Sequence, residues 1–161
     1  LIIYVFAIPY LILKTKNKKY KKSIPSRFFL KNNHSFKENG IWFHSCSMGE
    51  TNALKPIIKQ LQNEIINISV ITDTGFDSAL KLTSNVRYLP FEIFLPFWIT
   101  KQKVLVVMEA ELWYMLFLVA FNKGIKTVLI NARINDKSYH TYKKYKLFYK
   151  QIFKHINKIY A

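Results

Sequence analysis

The residues best suited to chemistry are three carboxylates placed where strands give way to helices. Nine of the 161 residues are acidic, against 25 basic ones, so the position of each acid is informative. Glu109 and Glu111 lie in the stretch Val104 to Trp113, where an apolar run rich in β-branched residues ends at Met108. Such a run reads as a strand buried on both faces, as in a parallel sheet. Ligands of open α/β sheets bind beyond the carboxyl ends of the strands, so acids there are well placed to move protons. Glu50 closes Ser47-Met48-Gly49-Glu50, which also sits at a strand-to-helix turn.

Each of these has a structural alternative. Ser47-x-x-Glu50 is a capping box, in which Ser47 accepts from the Glu50 amide and Glu50 reaches back. The chemical reading is that Gly49 lets a ligand approach the backbone while Glu50 offers a base. Glu111, in a helix's first turn, could simply complement the dipole. Glu109 follows a buried strand directly and needs a partner, because an unpaired buried carboxylate is costly. Arg133, after the next strand, could be that partner. Equally, Asn131-Ala132-Arg133 could bring an amide and a cation into the same crevice. Thr72-Asp73-Thr74-Gly75 reads as a helix cap or as a phosphate-cradling turn. His44, His140 and His155 lack metal-ligand spacing, and neither Cys46 nor the carboxylates complete a zinc or iron set, so no metal is expected. There is no Walker loop and no G-x-G-x-x-G.

The elements that must hold these residues alternate in type. The pattern predicts strands over Ile41 to Cys46, Ile66 to Thr72, Val86 to Leu89, from Val104, over Thr127 to Asn131, and beginning again in Ile156 to Tyr160. Between them it predicts helices over Glu50 to Gln62, Phe76 to Leu82, Ile93 to Thr100, Leu112 to Asn122 (stopped by Gly124) and Tyr139 to Lys154. This spacing implies βαβ units: an α/β fold, a Rossmann-like parallel sheet with helices on both faces. The last helix interleaves Lys143, Lys144, Lys146, Lys150 and Lys154 with aromatic residues, whose rings are expected mostly to face the core.

Composition bounds the rest. Half the residues are hydrophobic and the net charge is +16, so the chain folds around a core and attracts an anionic partner. Lys greatly outnumbers Arg, which suits diffuse attraction to phosphates or a membrane surface better than bidentate base reading. The single Cys46 excludes an internal disulfide. Residues 1–22 read as an apolar membrane-anchor helix with a polybasic flank (Lys14, Lys16, Lys18, Lys19, Lys21, Lys22), although a spanning helix needs about 20 apolar residues. A buried core helix with a solvated linker is the alternative. Residues 23–40 read as a connection and 41–161 as the Rossmann-like domain. The chain opens at Leu1 rather than Met, so a longer parent protein is expected.

With these residues laid out, the chain resembles the 3-deoxy-D-manno-octulosonic acid (Kdo) transferases. Four blocks match in order: His44 to Glu50, Tyr88-Leu89-Pro90-Phe91-Glu92, Met108-Glu109-Ala110-Glu111-Leu112-Trp113, and Asn131-Ala132-Arg133. The resemblance implies the N-terminal, acceptor-binding domain of a GT-B glycosyltransferase that moves Kdo from CMP-Kdo to a lipid A precursor, lipid IVA, with inversion. This would occur at the cytoplasmic face of the inner membrane, within lipopolysaccharide biosynthesis. It implies Glu50 as general base and Glu109 as the carboxylate that stabilises the transition state. Ser47, Gly49, Glu111, Asn131 and Arg133 would support or bind the acceptor. No cofactor beyond the donor CMP-Kdo and no nucleic acid are expected. CMP-Kdo would be held by a C-terminal domain absent from this chain, so the 161 residues alone are expected to be inactive. Tyr114-Met115 replace the family's usual Pro-Asn. The alternatives are another GT-B transferase, or a non-catalytic basic module that binds membrane or RNA.

Overall fold

The computed structural model describes residues 2–17, 20–61, 63–109, 111–134 and 136–161. Leu1, Lys18, Lys19, Gln62, Ala110 and Asn135, several of which fall within the segments just discussed, lie outside the described residues. Six parallel strands form one sheet: β1 (Ile41–His44), β2 (Ile66–Val70), β3 (Val86–Tyr88), β4 (Val104–Met108), β5 (Lys126–Ile130) and β6 (Lys158–Ile159). They lie in the order β3-β2-β1-β4-β5-β6. The chain winds one way from β1 to β3 and the other way from β4 to β6, so β1 and β4 are neighbours that flank the switch point. In register, Phe43 sits between Ile68 on β2 and Val106 on β4. A doubly wound sheet opens its crevice at the carboxyl ends of these two central strands.

Strand alternation sends successive side chains to opposite faces, and both faces are covered. On one, Phe43, Ile68, Val70 and Met108 pack with Leu54, Ile58 and Ala79, which come from the junction between α3 (Met48–Ala53) and α4 (Lys55–Lys59), from α4 and from α5 (Asp73–Ala79) respectively. On the other, Trp42, Leu105, Val107 and Leu129 pack with Trp98, Leu116, Phe117, Ala120 and Ile152. Those residues belong to α6 (Leu95–Trp98), α7 (Tyr114–Asn122) and α9 (Lys146–Phe153). Trp42 and Phe117 are fully buried; truncating either to Ala would cost about 3–5 kcal/mol.

Several boundaries differ from the sequence reading, each for a local reason. The helix expected from Glu50 breaks at Leu54 into α3 and α4, because Pro56 lacks the N–H an unbroken helix needs and instead opens α4. The helix expected over Ile93 to Thr100 is a 3-10 turn (Glu92–Phe94) followed by α6. α7 begins at Tyr114, not Leu112: Trp113 is extended, and the Met115 amide donates to the Glu92 carboxylate at 2.9 Å. Gly124, with φ +67°, ends the segment after α7. The last long helix kinks at Tyr145 (φ −105°, ψ 36°) into α8 (Asp136–Lys144) and α9. Its apolar side chains do not all turn inward: Leu147 is 82% exposed, and Tyr145 and Phe148 are exposed among the lysines.

The connection before β1 contains α2 (Ser23–Phe29) and a clamp on the outer strand. Buried Asn33 donates to Tyr88 O (2.8 Å) and Ser26 O (3.0 Å) and accepts from Tyr88 N (3.1 Å), which satisfies the outer edge of β3. Ahead of it, α1 runs Ile2–Lys14, with Pro9 inside. Its 13 residues rise about 20 Å. Among the described residues no helix is long and apolar enough to cross a membrane.

Candidate active site

The turn after β1 holds Glu50 in place. Ser47, extended at φ −115°, is the N-cap of α3. Its hydroxyl accepts from the Glu50 amide at 3.4 Å and donates to Glu50 Oε1 at 2.7 Å. Cys46 N donates to Glu50 Oε2 at 2.8 Å. The Ser47 cap is therefore formed, while Glu50 reaches back to Cys46 N and the Ser47 hydroxyl rather than to the Ser47 N–H of a standard capping box; both carboxylate oxygens are engaged, with one lone pair on each to spare. Gly49 is exposed, and a Cβ there would meet nothing nearer than Ser47 Oγ at 3.9 Å. Packing does not require a glycine at this position, and the backbone is open to a ligand.

The turn after β2 ties onto it. Thr72 caps α5 by accepting from Gly75 N at 3.1 Å and donates its hydroxyl to Cys46 O at 2.9 Å. Of the two readings for this turn, the cap is formed. Asp73 accepts from the Tyr88 hydroxyl at 2.8 Å.

Glu109 stands at the end of β4 with φ 55°, and Asn131, at the end of β5, has φ 51°. Left-handed backbone is common for Asn and costly for Glu, of order 1–3 kcal/mol. The Glu109 carboxylate accepts from Asn131 Nδ2 at 3.4 Å, and Arg133 Nη2 donates to Asn131 Oδ1 at 3.3 Å. The direct Glu109–Arg133 ion pair suggested by the sequence is not among the described contacts; Asn131 bridges the two instead. Glu109 and Arg133 line one pocket of about 320 Å³ with Leu112, Ala132, Tyr142 and Phe153. Burial, followed by Tyr149 and Glu111, raises the Tyr142 phenol above its usual range. Glu50 is not among the residues lining that pocket. It sits in the first turn of α3, after the adjacent strand β1, with its carboxylate on Cys46 N.

Glu111 lies on the Cys46 side. Its Oε2 accepts from Trp113 Nε1 at 2.8 Å, and it acts, by hydrogen bond and by charge, on the Cys46 thiol. Burial first, then Glu111, pushes that thiol well up. Two further residues reach this spot that the sequence reading did not assign to it. Arg27 of α2 donates through Nε to Leu89 O at 3.0 Å; burial lowers its pKa, while Cys46 and Glu111 oppose the shift. His44 is fully buried, and desolvation brings its imidazole down to about 3, with Ser69 opposing and Arg27 adding. A histidine in an apolar strand was the visible signal for His44. Nothing local marks Arg27, which arrives from a segment without periodicity. Spacing along the chain gave no metal set, yet the fold brings one ligand atom each of His44, Cys46 and Glu111 within 4.8 Å of one another.

Comparison with known proteins decides the family. The sequence profile of the 3-deoxy-D-manno-octulosonic-acid transferases (kdotransferases) matches residues 22–161. The chain belongs to the Kdo transferase family. It corresponds to the family's N-terminal glycosyltransferase domain. It is 33% identical over 150 residues to the 3-deoxy-D-manno-octulosonic acid transferase of Haemophilus influenzae, covering 84% of this chain and 34% of that protein. It is 33% identical over 132 residues to a bifunctional glycosyltransferase/methyltransferase of Fusobacterium nucleatum, covering 74% and 20%. It is 30% identical over 149 residues to the transferase of Chlamydia pneumoniae, covering 84% and 34%. The chain thus spans between a fifth and about a third of these relatives. No solved structure matches it.

Proposed function

We propose that this domain is the acceptor-binding half of an inverting transferase that moves Kdo from CMP-Kdo to a lipid A precursor such as lipid IVA. The observation that carries the reading is the position of Glu50 and Glu109: Glu109 directly follows β4, and Glu50 lies in the first turn of α3 just after β1, the two adjacent strands that flank the switch point. In the proposed step, Glu50 takes the proton of the acceptor sugar hydroxyl as its oxygen attacks the anomeric carbon of Kdo. The bond to CMP breaks from the opposite face, so configuration inverts, and the phosphate leaves with the bonding pair. Positive charge develops on the sugar ring meanwhile, and the Glu109 carboxylate stabilises it. Ser47 and Cys46 N–H orient the base, and the open backbone at Gly49 admits the acceptor. Asn131 holds Glu109, and Arg133 offers a cation to an acceptor phosphate. Glu111 supports the crevice from the Cys46 side. The reaction as drawn consumes no cofactor, and nucleic acid has no part in it.

Membrane association fits the same reading. α8 and α9 expose lysines beside Leu147 and Phe148, a composition suited to an anionic interface. Together with the apolar, basic N-terminus this favours the cytoplasmic face of the inner membrane. The donor site lies outside the matched domain in this proposal, so the chain alone binds acceptor without turnover.

A chimera in which 1–161 replaces the aligned segment of the Haemophilus influenzae relative tests this. It should transfer Kdo from CMP-Kdo to lipid IVA, and Glu50→Gln or Glu109→Gln should each abolish transfer. Charge reversal along Lys143 to Lys154 should weaken vesicle binding more than turnover in detergent. If both Gln variants transfer at the parental rate while charge reversal abolishes function, the domain is a non-catalytic basic module. Transfer to some other acceptor only would make it a different GT-B enzyme.

A further inference from the structure

The cluster of His44, Cys46 and Glu111 has a feature the transfer reading does not use. His44 is fully buried, and its Nε2 has no hydrogen-bond partner. A buried polar atom left unpaired costs about 1–3 kcal/mol. The opposite nitrogen, Nδ1, lies 3.1 Å from Ser69 O and 2.9 Å from Ser69 Oγ. Ser69 Oγ already accepts from Trp42 Nε1 at 2.8 Å. With the proton on Nδ1, donated to the Ser69 carbonyl, Nε2 presents a bare lone pair. That is the arrangement by which proteins fix a metal-binding imidazole. Glu111 is oriented in the same manner, by Trp113 Nε1 at 2.8 Å. His155 Nδ1 also lacks a partner, but among the described residues it belongs to no group of three ligating side chains.

We propose that this cluster binds one zinc-like divalent ion through His44 Nε2, Cys46 Sγ and a Glu111 carboxylate oxygen, with a fourth position left to water. One ring nitrogen of His44, Cys46 Sγ and a Glu111 carboxylate oxygen lie within 4.8 Å of one another. Tetrahedral zinc with N, S and O ligands separates them by about 3.3–3.8 Å, so a closure of about 1 Å by the half-buried Cys46 and Glu111 side chains completes the site. Mixed nitrogen, sulfur and oxygen donors favour zinc or cobalt over magnesium or calcium. Charge agrees. With the thiol protonated, Glu50, Glu111 and Arg27 leave one negative charge in excess. A dication that displaces the thiol proton to solvent leaves the cluster balanced, with Arg27 still countered by the two carboxylates. The inference uses residues other than the proposed base and stabilising carboxylate and does not rest on the transfer reading.

Cobalt(II) titration of the metal-free chain tests it. Binding of one cobalt per chain with a thiolate-to-cobalt charge-transfer band, bleached by zinc, is the expected result. Cys46→Ser should abolish the band. Glu111→Gln should weaken affinity by about tenfold or more while its circular dichroism matches the parent. That second variant keeps the test decisive should a buried His44→Gln chain fail to fold. Cobalt bound without a thiolate band, unchanged affinity in Glu111→Gln, or no stoichiometric binding would each overturn the proposal, whatever the chimera does.

Discussion

Glu50 is both a helix cap and the proposed base, and two substitutions separate these roles. Its carboxylate accepts from Cys46 N at 2.8 Å and from Ser47 Oγ at 2.7 Å. In Glu50→Gln the amide oxygen can keep Cys46 N while the amide nitrogen donates to Ser47 Oγ, whose hydroxyl proton turns away, so both contacts survive but neither is to a charged group. A hydrogen bond to a charged group contributes roughly 1.5–3 kcal/mol and a neutral one about 0.5–1.5; a stability loss of about 1–2 kcal/mol is expected. Ser47→Ala removes the hydroxyl from the same turn, for a loss of about 1 kcal/mol. It leaves the carboxylate in place on Cys46 N. If Glu50 takes the acceptor proton, Glu50→Gln slows transfer by roughly 100- to 10,000-fold. Ser47→Ala should slow it by less than about tenfold, since about 1 kcal/mol of positioning is at stake. Urea denaturation of the chain gives the stabilities, and labelled Kdo transfer by the chimera gives the rates. Rates that fall together in the two variants, in proportion to stability, would reduce Glu50 to a cap and refute the base assignment.

Two further outcomes follow from the backbone and the sheet edge. Glu109→Gly should be more stable than Glu109→Ala by about 1 kcal/mol, because only glycine relieves the left-handed conformation there; equal midpoints in urea would mean the strain is absent. Asn33→Ala deletes three hydrogen bonds around β3 and leaves Tyr88 N and O unmatched. It should cost about 2–4 kcal/mol, with faster amide exchange at Tyr88 as the local readout.

The strands and their order of types were legible because each carries a run of β-branched or aromatic residues, and because both sheet faces are covered. The two caps were legible too, since Ser47 and Thr72 bond within three residues of themselves. What escaped depends on contacts distant in sequence. The Glu109–Arg133 pair looked plausible from two strand ends, but Asn131, between them in space, takes both bonds. Cys46 and Glu111 are separated by 64 intervening residues and meet only because β1 and β4 are neighbours. The exposure of Phe148 and Leu147 follows from the kink at Tyr145, which turns α9 so that Phe148 meets Tyr114 of α7 in a tilted contact with ring centroids 5.8 Å apart.

The carboxylates at the carboxyl edge are not equivalent, and the differences favour Glu109 as a functional residue. Asp73 holds the Tyr88 hydroxyl, and Glu92 caps α7 through Met115 N. Both have structural work that accounts for their presence. Glu50 caps α3, and Glu111 positions Trp113. The Glu109 backbone N–H donates to Ile130 O at 2.9 Å, as any residue there would, but its carboxylate has a single described hydrogen bond, at 3.4 Å, and its backbone conformation is one that few L residues besides Asn and Asp adopt. The fold gains little from a glutamate at that position, where glycine would relieve the strain and asparagine would tolerate it. A strained residue whose carboxylate has almost no structural return, beside a pocket over the carboxyl ends of β4, β5 and β6, is best explained by what it does to a ligand.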